Sequence, residues 1–377
     1  MTEREKRTQA LKEEARRAGF PLVGITLPEP PDHIDFYRDW ISKGYHADMD
    51  WMATERALQR RSDPTKVLPG CQSILVLGIP YPIPQDRREG GKISSYAWNK
   101  DYHDVLPEKM KGLVRFLEDL VGEPVSNRAY TDTGPILERE LARRAGLGWI
   151  GKNTTLINPQ WGSFIFLAEL FLGVALEPDP PFGGEHCGTC TRCLDACPTG
   201  SLKEPYLLDA NLCLSYLTIE RKGPIPQELR PKMDQWIFGC DICQQVCPWN
   251  QKSSRERDII EAFQPRPESG TVDLTEEIRL SEGVFREKFK DSPVKRAKRR
   301  GYLRNVAVAL GNQKDQASIP GLLRALHDPE PWVRGHAAWA LGQLKGEHAQ
   351  HALQEALSSE EDPHVKGEME RALQEWS

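Results

Sequence analysis

The sequence predicts an α+β domain, then a cysteine-ligated cluster segment, then an α-solenoid of short helical repeats. Three observations predict it. Residues 1 to about 175 mix helical and strand-type runs. Eight of the nine cysteines fall in one 61-residue window, Cys187 to Cys247. The last 75 residues contain an internal repeat. A chain of 377 residues can hold two or three such units and at least one large core.

In the first unit, Leu11 to Ala18 belong to an opening helix, and Ser73 to Ile79 form a β-type run ended by Pro80. Pro135 to Ala145 reads as a helix, with proline at its start and Gly146 just past its end. Ser163 to Val174 is apolar and β-rich; the greasy run Phe164 to Leu176 contains Glu169 and is too short to span a bilayer. Arg16–Arg17 suits the polar end of an amphipathic helix better than an export signal, and the start lacks an apolar h-region. The expected setting is therefore a reducing cytoplasm, away from membranes.

The cysteines are spaced for iron–sulfur clusters. Cys187, Cys190, Cys193 and Cys197 read C-x2-C-x2-C-x3-C before Pro198; Cys240, Cys243 and Cys247 read C-x2-C-x3-C before Pro248. Cys213 stands between the runs. Eight thiolates serve two 4Fe–4S clusters with none over. In two-cluster ferredoxins the fourth cysteine of a run ligates the other cluster. That rule assigns Cys187, Cys190, Cys193 and Cys247 to one cluster and Cys197, Cys213, Cys240 and Cys243 to the other. A disulfide framework suits small secreted chains, and structural zinc favours two C-x2-C pairs per site. Cys71 reads as a small residue leading into a strand.

The repeat has a period of 31 residues: Ala309-Leu310-Gly311 recurs as Ala340-Leu341-Gly342, and Leu322 and Leu326 as Leu353 and Leu357. Small residues at Ala337, Ala340 and Ala372 let paired helices approach closely. About two and a half HEAT-like units follow from this spacing. Just before them lies a basic segment, Arg286 to Arg304, with nine Lys or Arg against Glu287 and Asp291, in a chain of net charge −5. A local basic patch on an acidic body is an electrostatic footprint for phosphates. A solvated helix face is the bland alternative.

Two Gly-rich matches carry no nucleotide-binding reading. Gly146 to Asn153 (GLGWIGKN) matches G-x-G-x-x-G and nearly matches a P-loop, but a helix precedes it and Asn153 replaces the hydroxyl. A Gly-rich turn with Lys152 could still hold a cofactor's phosphate or amides. In Tyr130-Thr131-Asp132-Thr133-Gly134-Pro135, Gly134 is the expected helix cap, which leaves Asp132 free for a pocket or an Asx-type turn. Tyr96 to His103 gathers aromatic, acidic and titratable groups.

Together the two cysteine runs, the YTDTGP segment, the GLGWIGKNT loop, the Asp101-Tyr102-His103 triplet and the repeat-bearing end resemble the epoxyqueuosine reductases over essentially the whole chain. The resemblance implies a cobalamin-dependent oxidoreductase acting at the wobble position of a tRNA anticodon stem-loop, fed by an external electron donor. It implies a nitroreductase-like cobalamin-binding fold for residues 1–178. A two-cluster ferredoxin-like domain at 179–255, a connector at 256–300 and HEAT-like repeats at 301–377 complete the expected division. It also implies that Asp132 is the proton donor, with Arg56, Tyr96, His103, Asp132, Lys152 and Asn153 in the cobalamin pocket. The D-x-H-x-x-G signature of His-ligated cobalamin is absent, since Leu106 stands where Gly is needed. An Asp acting as acid near neutrality needs a raised pKa, for example from burial. Lys295, Arg296, Lys298, Arg299, Arg300 and Arg304 are expected to grip tRNA phosphates. The family arrangement favours the Cys187 set as the cluster facing cobalt. Alternatives are a reductive-dehalogenase-like small-molecule reductase and a non-enzymatic Fe–S scaffold that binds nucleic acid.

Overall fold

The computed structural model describes residues 1–82, 90–252, 259–266 and 272–374. Parts of the expected connector, 256–258 and 267–271, lie outside the described residues.

An antiparallel four-stranded sheet organises the N-terminal unit. Its strands are β1 (Leu22–Thr26), β2 (Ser73–Pro80), β3 (Asn127–Tyr130) and β4 (Ile165–Leu172), in the spatial order β1-β2-β4-β3. Period-2 alternation divides the sheet residues between two cores. Leu75, Leu77, Ile79, Phe166, Ala168 and Leu170 pack under α1 (Glu3–Arg17) and α4 (Tyr102–Val121). Ile74, Val76 and Phe171 face the other way, against Leu141, Ala142 and Ala145 around α5 (Glu138–Arg144). Two shorter helices, α2 (Ile34–Ser42) and α3 (Glu55–Ser62), lie between β1 and β2 in the chain.

The opening helix and both apolar strands match the sequence reading. The helix expected from Pro135 starts instead at Glu138. Gly134 is not its cap; it lies flush on the Tyr130 ring, where a Cβ would stand 2.6 Å from a ring carbon. Residues 131–137 are thereby released as a loop. Asp132 in that loop has φ +61°, the left-handed region that non-glycine residues rarely adopt.

The repeats form two helical hairpins and a final helix: α7 (Lys298–Gln313), α8 (Ile319–Ala325), α9 (Pro331–Leu344), α10 (Glu347–Ser359) and α11 (Pro363–Gln374), counting α6 (Leu214–Ile219) in the cluster domain. The recurring glycine of Ala-Leu-Gly is the contact point. A Cβ on Gly311 would stand 2.9 Å from the Ala340 Cα, and one on Gly342 3.0 Å from the Ala372 Cβ. α7 is buried on every side from Gly301 to Gly311 because one core runs from Leu217, Ile237 and Phe238 into Leu303, Val306 and Leu310. The solenoid is welded to the cluster domain.

A bidentate ion pair locks that weld. Arg230 and Glu368 meet at 2.7 and 2.8 Å, with 1 % and 2 % of their side chains exposed. Removing one partner leaves an uncompensated buried charge. Glu368→Ala is expected to cost about 3–5 kcal/mol, read as an earlier denaturant midpoint of the cluster-loaded protein. An unchanged midpoint would show the pair to be dispensable.

Candidate active site and cluster sites

The Asp132 loop meets the N-terminus of α4. The Tyr102 hydroxyl donates to Asp132 Oδ2 at 2.9 Å, and His103 Nε2 lies 3.6 Å from the same oxygen. His103 Nδ1 contacts Asp101 Oδ1 at 2.8 Å, and Asp101 Oδ2 receives the Lys295 ammonium at 2.9 Å. The chain Lys295–Asp101–His103–Asp132 thus runs from the basic segment to the expected acid. Tyr96 closes one wall, its ring 6.2 Å from Tyr102 and 6.0 Å from Phe238. Asp132 itself stays 65 % exposed, open to whatever binds beside Tyr96 and Tyr102.

The charges sort themselves. Burial lowers the pKa of His103, but its bonds to Asp101 and Asp132 prevail and carry it up to about 9. Burial raises Asp101, yet His103 and Lys295 bring it down to about 2. Asp132 is crowded by protein, which raises it, but the bonds from His103 and Tyr102 outweigh the crowding and leave it lowered. In the protein alone Asp132 is thus held on the ionised side, whereas an acid near neutrality needs the raised pKa that burial beside a bound cofactor would give. At neutral pH the proton resides on His103, beside an ionised Asp132.

Of the expected pocket residues, Tyr96, His103 and Asp132 converge. Arg56 lies exposed on α3. Lys152 and Asn153 sit at the seam with the cluster domain. Lys152 donates to the carbonyls of Gly188 and Cys190 at 2.6 and 3.0 Å. Asn153 is buried and its Nδ2 lies 3.5 Å from the Cys243 carbonyl. Both staple the short Trp149–Ile150/Leu156–Ile157 hairpin to the cluster loops. Sequence reasoning missed Tyr102 as a member of the site, and Glu138 and Glu169 behind it. Glu169 did leave a signal: a lone carboxylate in an apolar strand.

The cysteine thiols influence one another within the expected groups and also across them, since Cys243 feels both Cys213 and Cys193. Burial raises Cys193, Cys213, Cys240, Cys243 and Cys247, and mutual repulsion adds to it: Cys193 feels Cys187 and Cys247, and Cys247 feels Cys187 and Cys190. Cys213 feels Cys197, while Cys240 feels Cys243 and Cys213. Cys193 rises to about 11. Such thiols become good ligands once a metal centre strips their protons. Among the described residues no three His, Cys, Asp or Glu side chains converge on a single-ion site. A 4Fe–4S cluster makes a different demand, because its four thiolates bind four separate irons. All eight cysteines are reduced and unpaired to one another, so the donor set fits two clusters.

The six basic residues divide. Arg304 is 1 % exposed and gives its guanidinium to the carbonyls of Leu217, Arg221 and Gly223 and to Asn305. It holds the fold and cannot reach a phosphate, which corrects the sequence reading. Arg299 is bound to Asp328 and the Leu280 carbonyl, with 11 % of its side chain exposed. Lys298 is exposed at the start of α7. Arg300 lies 4.6 Å over the Trp332 ring. Arg296 lies 5.7 Å over Trp51, pairs with Glu220 and is close enough to Asp132 to feel its charge.

Comparison with known proteins decides the family. Residues 61–133 match the model described as epoxyqueuosine reductase QueG, DUF1730. Residues 186–250 match a 4Fe-4S double cluster binding domain, and 298–374 match HEAT repeats. The epoxyqueuosine reductase of Pseudomonas aeruginosa is 41% identical over 344 residues, covering 88% of this chain and 93% of that protein. The chain belongs to the epoxyqueuosine reductase family. The Escherichia coli epoxyqueuosine reductase is 38% identical, with 89% of each chain covered. An epoxyqueuosine reductase crystallised with an epoxyqueuosine-modified tRNA-Tyr stem loop superposes with a TM-score of 0.88 at 33% identity, covering 97% of this chain and 98% of that one. The Bacillus subtilis epoxyqueuosine reductase, solved with its aspartate-bearing catalytic loop swung out of the active site, has the same TM-score of 0.88 and 33% identity. As expected of this family, the chain is an oxidoreductase with a double 4Fe-4S domain and a repeat-bearing C-terminus. Among the described residues no helix is long and apolar enough to cross a membrane.

Proposed function

We propose that the chain reduces epoxyqueuosine to queuosine at the wobble position of a tRNA anticodon. The observation that carries this reading is the Lys295–Asp101 bond of 2.9 Å, which joins the basic segment to the Asp132–His103 pair. A surface suited to phosphates and a site suited to proton delivery are thereby one assembly. Converting an epoxide to an alkene consumes two electrons and two protons and releases water. The 4Fe–4S clusters supply electrons singly, and cobalamin supplies low-valent cobalt for the carbon–oxygen bond.

The residues present fit cobalamin without a protein histidine on cobalt. Both ring nitrogens of His103 face carboxylates, and the ring is protonated at neutral pH, so it has no lone pair to give. Tyr96, Tyr102 and the Gly146–Asn153 hairpin are the residues we assign to its walls, and residues 1–178 to a nitroreductase-like fold. Asp132 hands on the proton held by His103, and Tyr102 fixes the carboxylate that receives it. The Cys187/Cys190/Cys193/Cys247 and Cys197/Cys213/Cys240/Cys243 groupings stand as the ligand sets. Gly239 touches Tyr96, its Cβ position 3.5 Å from a ring carbon, and Asp241 accepts from the Ser95 amide at 2.8 Å. These contacts favour the Cys240 set, rather than the Cys187 set, as the one nearer Asp132.

For tRNA, Lys298 and Arg300 open α7 with positive charge, where a helix N-terminus already favours anions and the first turn holds no acid. With Lys295 and Arg296 they would meet the phosphates, while the modified base is splayed into the pocket. The expected setting is cytoplasmic, with an external reductant as partner. Reconstitution with cobalamin, reductant and epoxyqueuosine-containing tRNA tests the reading: nucleoside mass spectrometry should show queuosine. None from cluster-loaded protein would refute it.

Lys298→Ala with Arg300→Ala is expected to weaken tRNA binding and reduce the slope of log K against log salt by about 1–2. Arg304→Met should leave that slope unchanged and lower stability by about 3 kcal/mol or more, because its carbonyl acceptors are buried. Titrations over a salt series separate the two, and a slope altered by Arg304→Met alone would reverse the assignment.

A further inference from the structure

Behind the Asp132 loop lies a carboxyl group that the chemistry above does not use. Glu169 is wholly buried on β4, and neither carboxyl oxygen closes a well-formed hydrogen bond among the described residues. Strand alternation sends it away from the α1/α4 side, toward α5, and the ladder sets it opposite Tyr130. Burial, then the neighbouring Glu138 charge, pushes its pKa well above the carboxylate range. Glu169 therefore holds a proton and has an O–H to offer, and Glu138 is its carboxyl neighbour.

Glu138, at the start of α5, reaches back to the loop. Its Oε1 accepts the Asp132 backbone N–H at 2.5 Å. A non-glycine residue at φ +61° persists only when its surroundings over-determine it. The loop's other ties are the Thr131 hydroxyl on the Leu167 carbonyl, the Tyr102 hydroxyl on the Asp132 side chain, and the Thr133 N–H on the Thr131 carbonyl at 2.7 Å, which closes a three-residue turn over Asp132. None of them takes the Asp132 N–H. Arg139 and Arg61 feel the charges of Asp132 and Glu138, but burial and the Asp132 charge prevail at Glu138 and carry it up to about 7.

We propose that Glu138, buttressed by Glu169, is a positioning residue that holds the strained Asp132 peptide with its carboxylate facing the site. Glu169 lies beside the Glu138 carboxyl, whose Oε1 takes the Asp132 N–H. The proposal rests on Asp132 being the proton-delivering residue, but its first readout does not.

The test uses cluster-loaded holoprotein and two measurements, deuterium exchange at the Asp132 amide without substrate, and kcat and KM with tRNA. Glu138→Ala should speed that exchange about tenfold, the size of one charge-assisted hydrogen bond, and lower kcat with KM unchanged. Glu138→Gln keeps an acceptor and should restore protection. Glu169→Gln keeps a donor and should behave like wild type, whereas Glu169→Leu should behave like Glu138→Ala. If Glu138→Ala fails to take up clusters, Glu138→Asp, which withdraws the acceptor by one methylene, carries the same test. Unchanged exchange in a folded Glu138→Ala, or Glu138→Gln as damaging as Glu138→Ala, overturns the proposal. Faster exchange with unaltered kcat would overturn it too, and would separate its failure from that of the proposed overall reaction.

Discussion

Asp132→Asn is expected to lower turnover by about 10²- to 10⁴-fold, the range for removing a positioned general acid–base, with iron content and tRNA affinity intact. The amide still accepts from Tyr102, so the loop should keep its shape. What is lost is the carboxylate that takes a proton from His103 and passes it to the leaving oxygen. The same variant should shift the pH profile. His103 has its pKa raised to about 9 by Asp101 and Asp132 together, so proton supply is complete well below pH 9 and is lost as pH rises through it. Without the Asp132 charge the imidazolium loses one of its two anionic partners, and the alkaline limb should move to lower pH. Full turnover by Asp132→Asn would remove the residue from the chemistry. An alkaline limb unmoved in the variant would show that the limb reports another group.

Cys213→Ala is the second change expected to have a large effect. Cys213 lies between the two cysteine runs, at the start of α6, and its thiol feels Cys197. If it is the fourth ligand of the Cys197/Cys240/Cys243 set, its loss opens one cluster. Iron should then fall from about eight to about four per chain, with turnover near background. Cys71→Ala is the matched control. Cys71 is buried in the core around α5, remote in sequence from the runs, and its thiol contacts the Ser73 carbonyl, so iron and turnover should hold. Full iron in Cys213→Ala would mean that the eight cysteines are divided otherwise.

Much of this was legible from spacing. The eight cysteines, the 31-residue repeat and the apolar runs of β2 and β4 each carry their signal within a few residues, because ligand spacing and strand alternation are local properties. The helix after Asp132 was placed three residues early for a related reason. Pro135 and Gly134 are strong local cues, but the Tyr130 ring claims Gly134, and the Asp132 amide turns to Glu138 instead of entering a helix. The basic segment shows the limit of charge counting. Arg304 and Lys298 are equivalent in composition, yet one is buried in carbonyls and the other is exposed.

The sequence by itself determined which groups are available: eight cysteines as two runs with Cys213 between them, an aspartate after a strand, a histidine after another aspartate, and a repeat preceded by positive charge. The tertiary structure decided how those groups behave. It set His103 between two carboxylates, which favours a proton on the imidazole. It brought Lys295 across 194 residues of chain to Asp101, and it buried Glu169 behind the Asp132 loop. Protonation and strain depend on distances and on the exclusion of water, and those come into existence only when segments remote in sequence are packed together.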